Sequence, residues 1–257
     1  MPEQARGDAP SIRIQVCGPL VVDRAGRRVD DRLPGRQGRL LCGYLVLNRH
    51  RYVPRGELID AIWPARPPGN VDSGLSALLS KIRQVLGTSS VDGRATLRLR
   101  LVDPWVDLEV AREAVHRAES SVAAGDWVRA WAPSQVALFA AERGLLAGEE
   151  GEETFDWLVD ERRRLAETRL RALEAYGSSC LGIGGSELAA ACRAGRSLVE
   201  VEPFRESGYR LLMRALAAQG NLAEALLVYD RLRRTLREEL GVSPSPVTQT
   251  LFAELNS

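Results

Sequence analysis

Lysine is almost missing from this chain: Lys81 is the only one among 35 basic residues, and arginine supplies the rest. That bias is the mark of a GC-rich genome and carries no function of its own. No stretch approaches the roughly 18 uncharged apolar residues of a membrane span, and Met1 to Pro10 is polar, without the apolar core of a signal peptide. The expected location is therefore the cytoplasm, away from any membrane. Cys17, Cys42, Cys180 and Cys192 lie far apart without a Cys-x-x-Cys pair, and neither His50 nor His116 is near one of them. Zinc spacing and a disulfide framework are both absent, so the cysteines read as small core residues.

The signatures of common chemistry are missing as well. Gly182-Ile183-Gly184-Gly185 lacks the Gly-x-x-x-x-Gly-Lys-Ser/Thr pattern of a phosphate loop and has no buried strand before it, so it reads as a turn between helices. Neither histidine has a nucleophile in a recognisable elbow. The carboxylates crowd an acidic loop, Glu149, Glu150, Glu152 and Glu153, and the helix surfaces, where they read as solvated charge. No enzyme, cofactor or metal site is expected.

What is present is enough for two domains: 257 residues, 45% hydrophobic and 27% charged. The formal net charge of +1 conceals a division. Residues 1–100 hold 17 basic against 9 acidic residues, and the remainder holds 18 against 25. A basic front followed by an acidic rear suggests that the front half binds a polyanion.

In that front half Ile12, Ile14 and Val16 alternate with Arg13 and Gln15, and Leu20 to Val22 follows Gly18-Pro19, with Ala25-Gly26 turning toward Val29. This predicts a small antiparallel sheet with one buried face. From about Gly35 the period changes, and Leu40, Leu41, Tyr44 and Leu45 give a first helix. Leu58, Ile59, Ile62 and Trp63 give a second, with Pro54 in its first turn and Pro64 ending it.

A third helix is predicted over about Asn70 to Leu86, where Val71, Leu75, Leu78, Leu79, Ile82 and Leu86 form one apolar stripe. Its opposite face is centred on Ser73, Ala77, Ser80 and Gln84, flanked by Asn70 and Lys81 on one side and by Ser76 and Arg83 on the other. Small, hydrogen-bonding and cationic side chains with no acid after Asp72 suit a major groove better than a solvated surface, which is usually richer in Glu and Lys. Asp72 stands close to where DNA would lie, though a helix start favours it, and Gly74 costs a helix interior about 1 kcal/mol relative to Ala. Asp92-Gly93 then predicts a hairpin turn, followed by Leu97, Leu99 and Leu101 alternating with Thr96, Arg98 and Arg100. A basic-faced strand beside a turn bearing Arg94 reads as a wing, and strand, three helices and hairpin together predict a winged helix-turn-helix.

Gly35-Arg36-Gln37 before Leu40-Leu41, Leu58-Ile59-Asp60-Ala61-Ile62-Trp63, Pro67-Pro68, and Leu79-Ser80-Lys81-Ile82-Arg83 before Leu86-Gly87 carry a family resemblance. In register across about 12–103, the chain resembles the DNA-binding domain of the Streptomyces antibiotic regulatory proteins, an OmpR-type winged helix. The resemblance implies that Ser80, Lys81 and Arg83 lie on the recognition helix at or beside the groove, and that Arg36 and Arg39 reach phosphate.

Helical stripes dominate the rear half. Val110, Ala114 and Val115 mark one segment, and Trp127, Trp131, Val136 and Leu138 the next, which Pro133 should bound or kink. A long helix is predicted from about Phe155 to Tyr176 or beyond. Gly220, Ala225 and Tyr229 sit at tetratricopeptide offsets, Ala191 lies 34 residues before Ala225, and Pro203 falls where one repeat closes. Helical hairpins over about 186–219 and 222–240, capped by a helix after Pro244 and Pro246, resemble the bacterial transcriptional activator domain of the same family. Phe204-Arg205-Glu206, Gly220 through Ala225 and Glu239 through Val242 carry that likeness.

The fold expected is an α+β winged helix-turn-helix domain over 12–103, after a disordered tail over 1–11, followed by an all-α tetratricopeptide-like domain over 107–257. The expected function is sequence-specific DNA binding, with Ser73, Ala77, Ser80, Lys81 and Gln84 facing bases and Arg36, Arg39, Arg83, Arg94 and Arg98 on phosphates; that it activates transcription, of secondary metabolism, is what the resemblance implies, since DNA binding alone suits a repressor equally well. The resemblance implies direct repeats in promoter DNA bound by side-by-side protomers, a homodimer on DNA, and contact with RNA polymerase holoenzyme. Beside these two halves neither a phosphoacceptor receiver domain nor an ATPase motif is expected, and the sequence does not show how activity is switched. The rival reading is an interaction scaffold whose tetratricopeptide-like half binds a protein and whose winged helix ignores DNA sequence.

Overall fold

The computed structural model describes residues 12–65, 67–149, 151 and 154–257. The tail expected over 1–11 and three glutamates of the acidic loop, Glu150, Glu152 and Glu153, lie outside the described residues. Two compact units result, one of residues up to Val110 with Ala140–Ala166, the other of Ala111–Phe139 with Glu167–Ser257.

The chain begins β1 (Ile12–Gln15), β2 (Val21–Arg24), β3 (Arg27–Arg28), α1 (Gly35–Leu47), β4 (Val53–Pro54), α2 (Arg55–Ile62), α3 (Val71–Leu86), β5 (Val91–Gly93), β6 (Thr96–Leu99), β7 (Trp105–Val106) and α4 (Asp107–Ala123). Alternation places Ile12 and Ile14 in the core with Arg13 outside. Strands β1, β2 and β3 pair antiparallel through a tight turn at Ala25-Gly26, where both residues adopt positive φ, as a two-residue hairpin loop demands. The sheet is not wholly antiparallel as expected: β7 adds along the other edge of β1 in parallel, with Arg13 opposite Trp105 and Ile14 opposite Val106. The Arg13 guanidinium lies 4.6 Å from the Trp105 ring centroid.

Asp107 fixes that junction. Its carboxylate accepts the backbone N–H groups of Val16 (2.8 Å), Cys17 (3.0 Å) and Leu108 (2.8 Å), which serves the end of β1 and the start of α4 together. Burial pushes its carboxyl above the ordinary value, and the three N–H donors oppose that shift.

The described residues of Ala140–Ala166 complete the unit. Leu146 N–H donates to Val16 O (2.8 Å), Ala147 N–H to Gly18 O (2.9 Å) and Gly18 N–H to Gly144 O (2.7 Å). Leu145 and Leu146 are buried, and Leu146 occupies the space that a Cβ on Gly43 of α1 would need. Trp157 donates its indole N–H to Ala61 O (2.9 Å) and meets Tyr44 edge to face at 5.0 Å.

The other unit is drawn from α4, α5 (Trp127–Glu142), α6 (Asp156–Ile183), α7 (Leu188–Val201), α8 (Glu206–Ala218), α9 (Leu222–Leu240) and α10 (Pro246–Leu255). Of the two outcomes expected at Pro133, a boundary or a kink, the boundary is absent: α5 runs through it, and the Ser134 hydroxyl donates to Trp131 O (2.7 Å). Ala191 and Ala225, 34 residues apart, are both fully buried in one core with Tyr209, Met213 and Leu232. Glu206 ties α8 to α10, its carboxylate accepting from Ser245 N–H (3.0 Å), the Ser245 hydroxyl (2.7 Å) and the Thr248 hydroxyl (2.5 Å). All four cysteines are free and buried. Burial lifts the Cys42 thiol to about 12 and that of Cys180 to about 11, so both stay protonated and unreactive.

Candidate nucleic-acid interface

Helix α3 starts at Asn70, whose side-chain oxygen accepts Ser73 N–H at 3.0 Å, a cap of the preferred kind. Asp72 in its first turn and Arg83 in its last both complement the helix dipole. Leu75, Leu79, Ile82, Val85 and Leu86 are buried. With that face held by the core, the helix periodicity turns Ser73, Ala77, Ser80, Lys81 and Gln84 outward, and all five are exposed. None of their side chains has a hydrogen-bond partner among the described residues.

The hairpin beside α3 differs in detail from the expected turn. Asp92-Gly93 belongs to β5, with Asp92 opposite Arg98, and the reversal is made by the exposed Arg94 and Ala95. Gly93 is required there: its φ is +95°, and a Cβ would stand 1.9 Å from Thr96 O. Strand β6 also pairs with β4, so the hairpin is the outer part of a three-stranded sheet ordered β4-β6-β5.

Of the arginines assigned to phosphate, Arg94 projects from that turn without a partner among the described residues. Arg83 is half-buried and donates to Val91 O at 3.2 Å. Arg98 turns inward, donating to Arg49 O at 3.1 Å with its guanidinium over the Tyr52 ring. Arg36 and Arg39 are engaged elsewhere: Arg36 donates to Glu149 O (3.0 Å) and lies over the Phe155 ring, and Arg39 pairs with the Glu149 carboxylate. Glu149, expected as solvated charge, is instead 5% exposed, so Arg39 is the countercharge of a buried acid. To reach phosphate, Arg36 and Arg39 would first have to leave these contacts.

Sequence reasoning passed over Arg55. Pro54 caps α2 and closes β4, one residue earlier than the first-turn position expected, which makes Arg55 the first helical residue. Its backbone N–H donates to Ala95 O in the hairpin turn (3.1 Å), and its Nη2 donates to Asp72 O (3.2 Å) and to the Ser76 hydroxyl (3.0 Å). The available signal was a cation at a helix start, where the dipole disfavours one.

Nearby, the C-terminal end of α1 is anchored by charge. Arg49 holds Glu109 through two hydrogen bonds of 2.6 and 2.7 Å, and Glu57 accepts from Arg51 and from the Tyr44 hydroxyl. Burial and Glu57 push the Tyr44 hydroxyl up to about 12, keeping it a donor. Among the described residues no group of three or more His, Cys, Asp and Glu could hold a metal.

Residues 106–256 match the family described as the bacterial transcriptional activator domain. The regulatory protein AfsR of Streptomyces coelicolor is 34% identical over 98% of this chain, which spans about a quarter of that relative's length (25%). The transcriptional regulator RedD of the same organism is 30% identical over 95% of this chain and 70% of its own length. Among solved structures, Mycobacterium tuberculosis EmbR in complex with a low affinity phosphopeptide superposes with a TM-score of 0.82 at 23% identity, covering 96% of this chain and 65% of that one. That likeness speaks for a shared fold.

Proposed function

The chain belongs to the Streptomyces antibiotic regulatory protein family of transcription regulators, and from that premise we propose that it is a sequence-specific activator acting on promoter DNA. One observation carries the reading: the outward face of α3 is polar, free of acid past Asp72, and unpartnered among the described residues, beside a hairpin tip bearing Arg94. Such a helix face has the dimensions and donors for a major groove, and a cationic hairpin tip has the charge for the adjoining backbone.

In this reading residues 12–103 are the winged helix and 107–257 the activator domain. Ser73, Ala77, Ser80, Lys81 and Gln84 read bases, and Arg83 and Arg94 meet phosphates. Arg36, Arg39 and Arg98 join them only where DNA displaces their present partners. Two protomers sit side by side on direct repeats in the cytoplasm, and the helical domain contacts RNA polymerase holoenzyme to raise transcription of secondary-metabolic genes.

The test is a footprint of the purified protein on the intergenic DNA flanking its own gene, titrated against salt and against unrelated competitor DNA. Protection over spaced direct repeats with a steep salt dependence is the expected result. Weak binding that ignores sequence would overturn it and favour the interaction scaffold.

A further inference from the structure

We infer that Arg55 is a positioning residue for base selection, acting through Ser76, which extends the reading surface beyond the five outward residues of α3. The inference rests on the reading of α3 as the groove-entering helix. Arg55 joins three parts of the surface: the hairpin turn through Ala95 O, the first residues of α2, and the first two turns of α3 through Asp72 and Ser76.

The chemistry at Ser76 follows from hydrogen-bond polarity. A guanidinium only donates. At 3.0 Å from Nη2 the Ser76 oxygen is an acceptor, so the hydroxyl proton is left free to be offered outward. Ser76 is exposed and flanks the outward face on the side of Asp72 and Arg83. Fixed this way it is a donor toward acceptors on a base edge, such as guanine O6 and N7 or thymine O4. Without Arg55 the hydroxyl rotates and donates or accepts equally, and that preference disappears.

Arg55 also screens the acid that stands nearest the surface. Its Nε is 3.6 Å from Asp72 Oδ1, and the Asp72 side chain is 81% exposed. A lone carboxylate there would repel phosphate. A cation at the starts of two helices opposes both dipoles, so what holds Arg55 there is its set of contacts to Ala95, Asp72 and Ser76 rather than the helix ends.

The experiment selects binding sites from a randomised DNA duplex pool with the full chain and with Arg55→Ala, Arg55→Lys, Ser76→Ala and the Arg55→Ala/Ser76→Ala pair, each checked for a native thermal melt. The wild type is expected to enrich a defined motif. Arg55→Ala and Ser76→Ala should both lose discrimination at the same base pair by about 5- to 100-fold, the pair should lose no more than either alone, and Lys, which lacks the planar fork, should restore affinity but not discrimination. Ser76→Ala removes one exposed hydroxyl and keeps the comparison valid if Arg55→Ala fails to fold. If Arg55→Ala weakened every duplex equally and lowered the salt slope by about one, Arg55 would be a phosphate contact and the inference would be overturned. An unchanged motif in Ser76→Ala would overturn it too, with the DNA-binding reading intact. If the wild type enriched nothing, that reading would fail and take this inference with it.

Discussion

Gly195 of α7 faces Leu212 of α8 with no room for a side chain: an added Cβ would stand 2.8 Å from Leu212 Cβ and 3.0 Å from its backbone nitrogen. The next crossing point repeats the arrangement with the partners reversed, Gly208 of α8 lying against Leu198 of α7. Gly195→Ala gains helix propensity but must push two backbones apart. The net expectation is a loss of about 1–3 kcal/mol, measured as a shift of the urea midpoint at unchanged slope.

Gly74 is the opposite case. It lies inside α3 with ordinary backbone geometry, and a Cβ there would lie 3.4 Å from Pro68 Cγ and 3.5 Å from Trp63 Cη2, normal contact distances. Gly74→Ala should therefore stabilise the first unit by about 0.4–1 kcal/mol. A higher thermal midpoint checks it, and an unchanged or lower one would mean that Trp63 cannot accept the methyl.

Breaking the Arg39–Glu149 pair should be expensive. Glu149 is buried, and its second oxygen, Oε2, has no hydrogen-bond partner among the described residues. Arg39→Ala strands that charge, and because Arg39 itself is partly exposed the cost should fall near the low end for buried pairs, about 3 kcal/mol. Replacing both residues by Met should recover most of it in a double-mutant cycle. Equal losses in the single and double variants would show that packing, not charge, is at stake.

Acid should weaken the first unit through Glu57. Hydrogen bonds from Arg51 hold its carboxyl below the usual glutamate range, against the opposing push of burial, with Tyr44 adding to the effect of Arg51. The unfolded chain then binds the proton more tightly than the native one. The contribution is present above the usual range and is lost as pH falls through the depressed native value. The stability difference between wild type and Glu57→Gln should accordingly be steady near neutrality and shrink on acidification. A difference independent of pH would remove Glu57 from the account.

Lys81 and Arg94 should fail differently. Lys81→Ala is expected to cost about 1–3 kcal/mol at one base position and little elsewhere. Arg94→Ala should weaken all sequences and lower the salt slope by about one. Fluorescence anisotropy on the footprinted duplex and on single-base variants, at several salt concentrations, separates the two. If Lys81→Ala changed neither affinity nor preference, the orientation assigned to α3 would be wrong.

Local pattern carried most of the helices into view. The stripe Leu40, Leu41, Tyr44 and Leu45 and that of Leu75, Leu79 and Ile82 lie on buried faces, and the outward set on α3 follows from the second by geometry alone. What stayed hidden depends on partners distant in the chain. Strand β7 is two residues long, too short to show a period, and exists because β1 is there to pair with it. Arg36 and Arg39 looked available because no acidic residue lies within one helical turn of either, while their partner Glu149 lies more than a hundred positions on. Pro133 has no N–H to donate and still sits within α5. Arg55 was overlooked because its role comes from the approach of α2 to α3 and the hairpin, which no single segment encodes.

The hydrogen bonds from Leu146 and Ala147 to Val16 and Gly18 have a consequence for biosynthesis. The first sheet is made early, yet its strand end, α1 and the buried Glu149 site wait for residues translated much later. At roughly 5–20 residues per second, a ribosome needs several seconds to go from Val110 to Ala166, the end of that unit. During that interval the surface destined for Leu145, Leu146 and Trp157 stands open beside the nascent chain. Synthesis speed through this stretch, and any chaperone present as it emerges, therefore bears on how much of the protein reaches its native state.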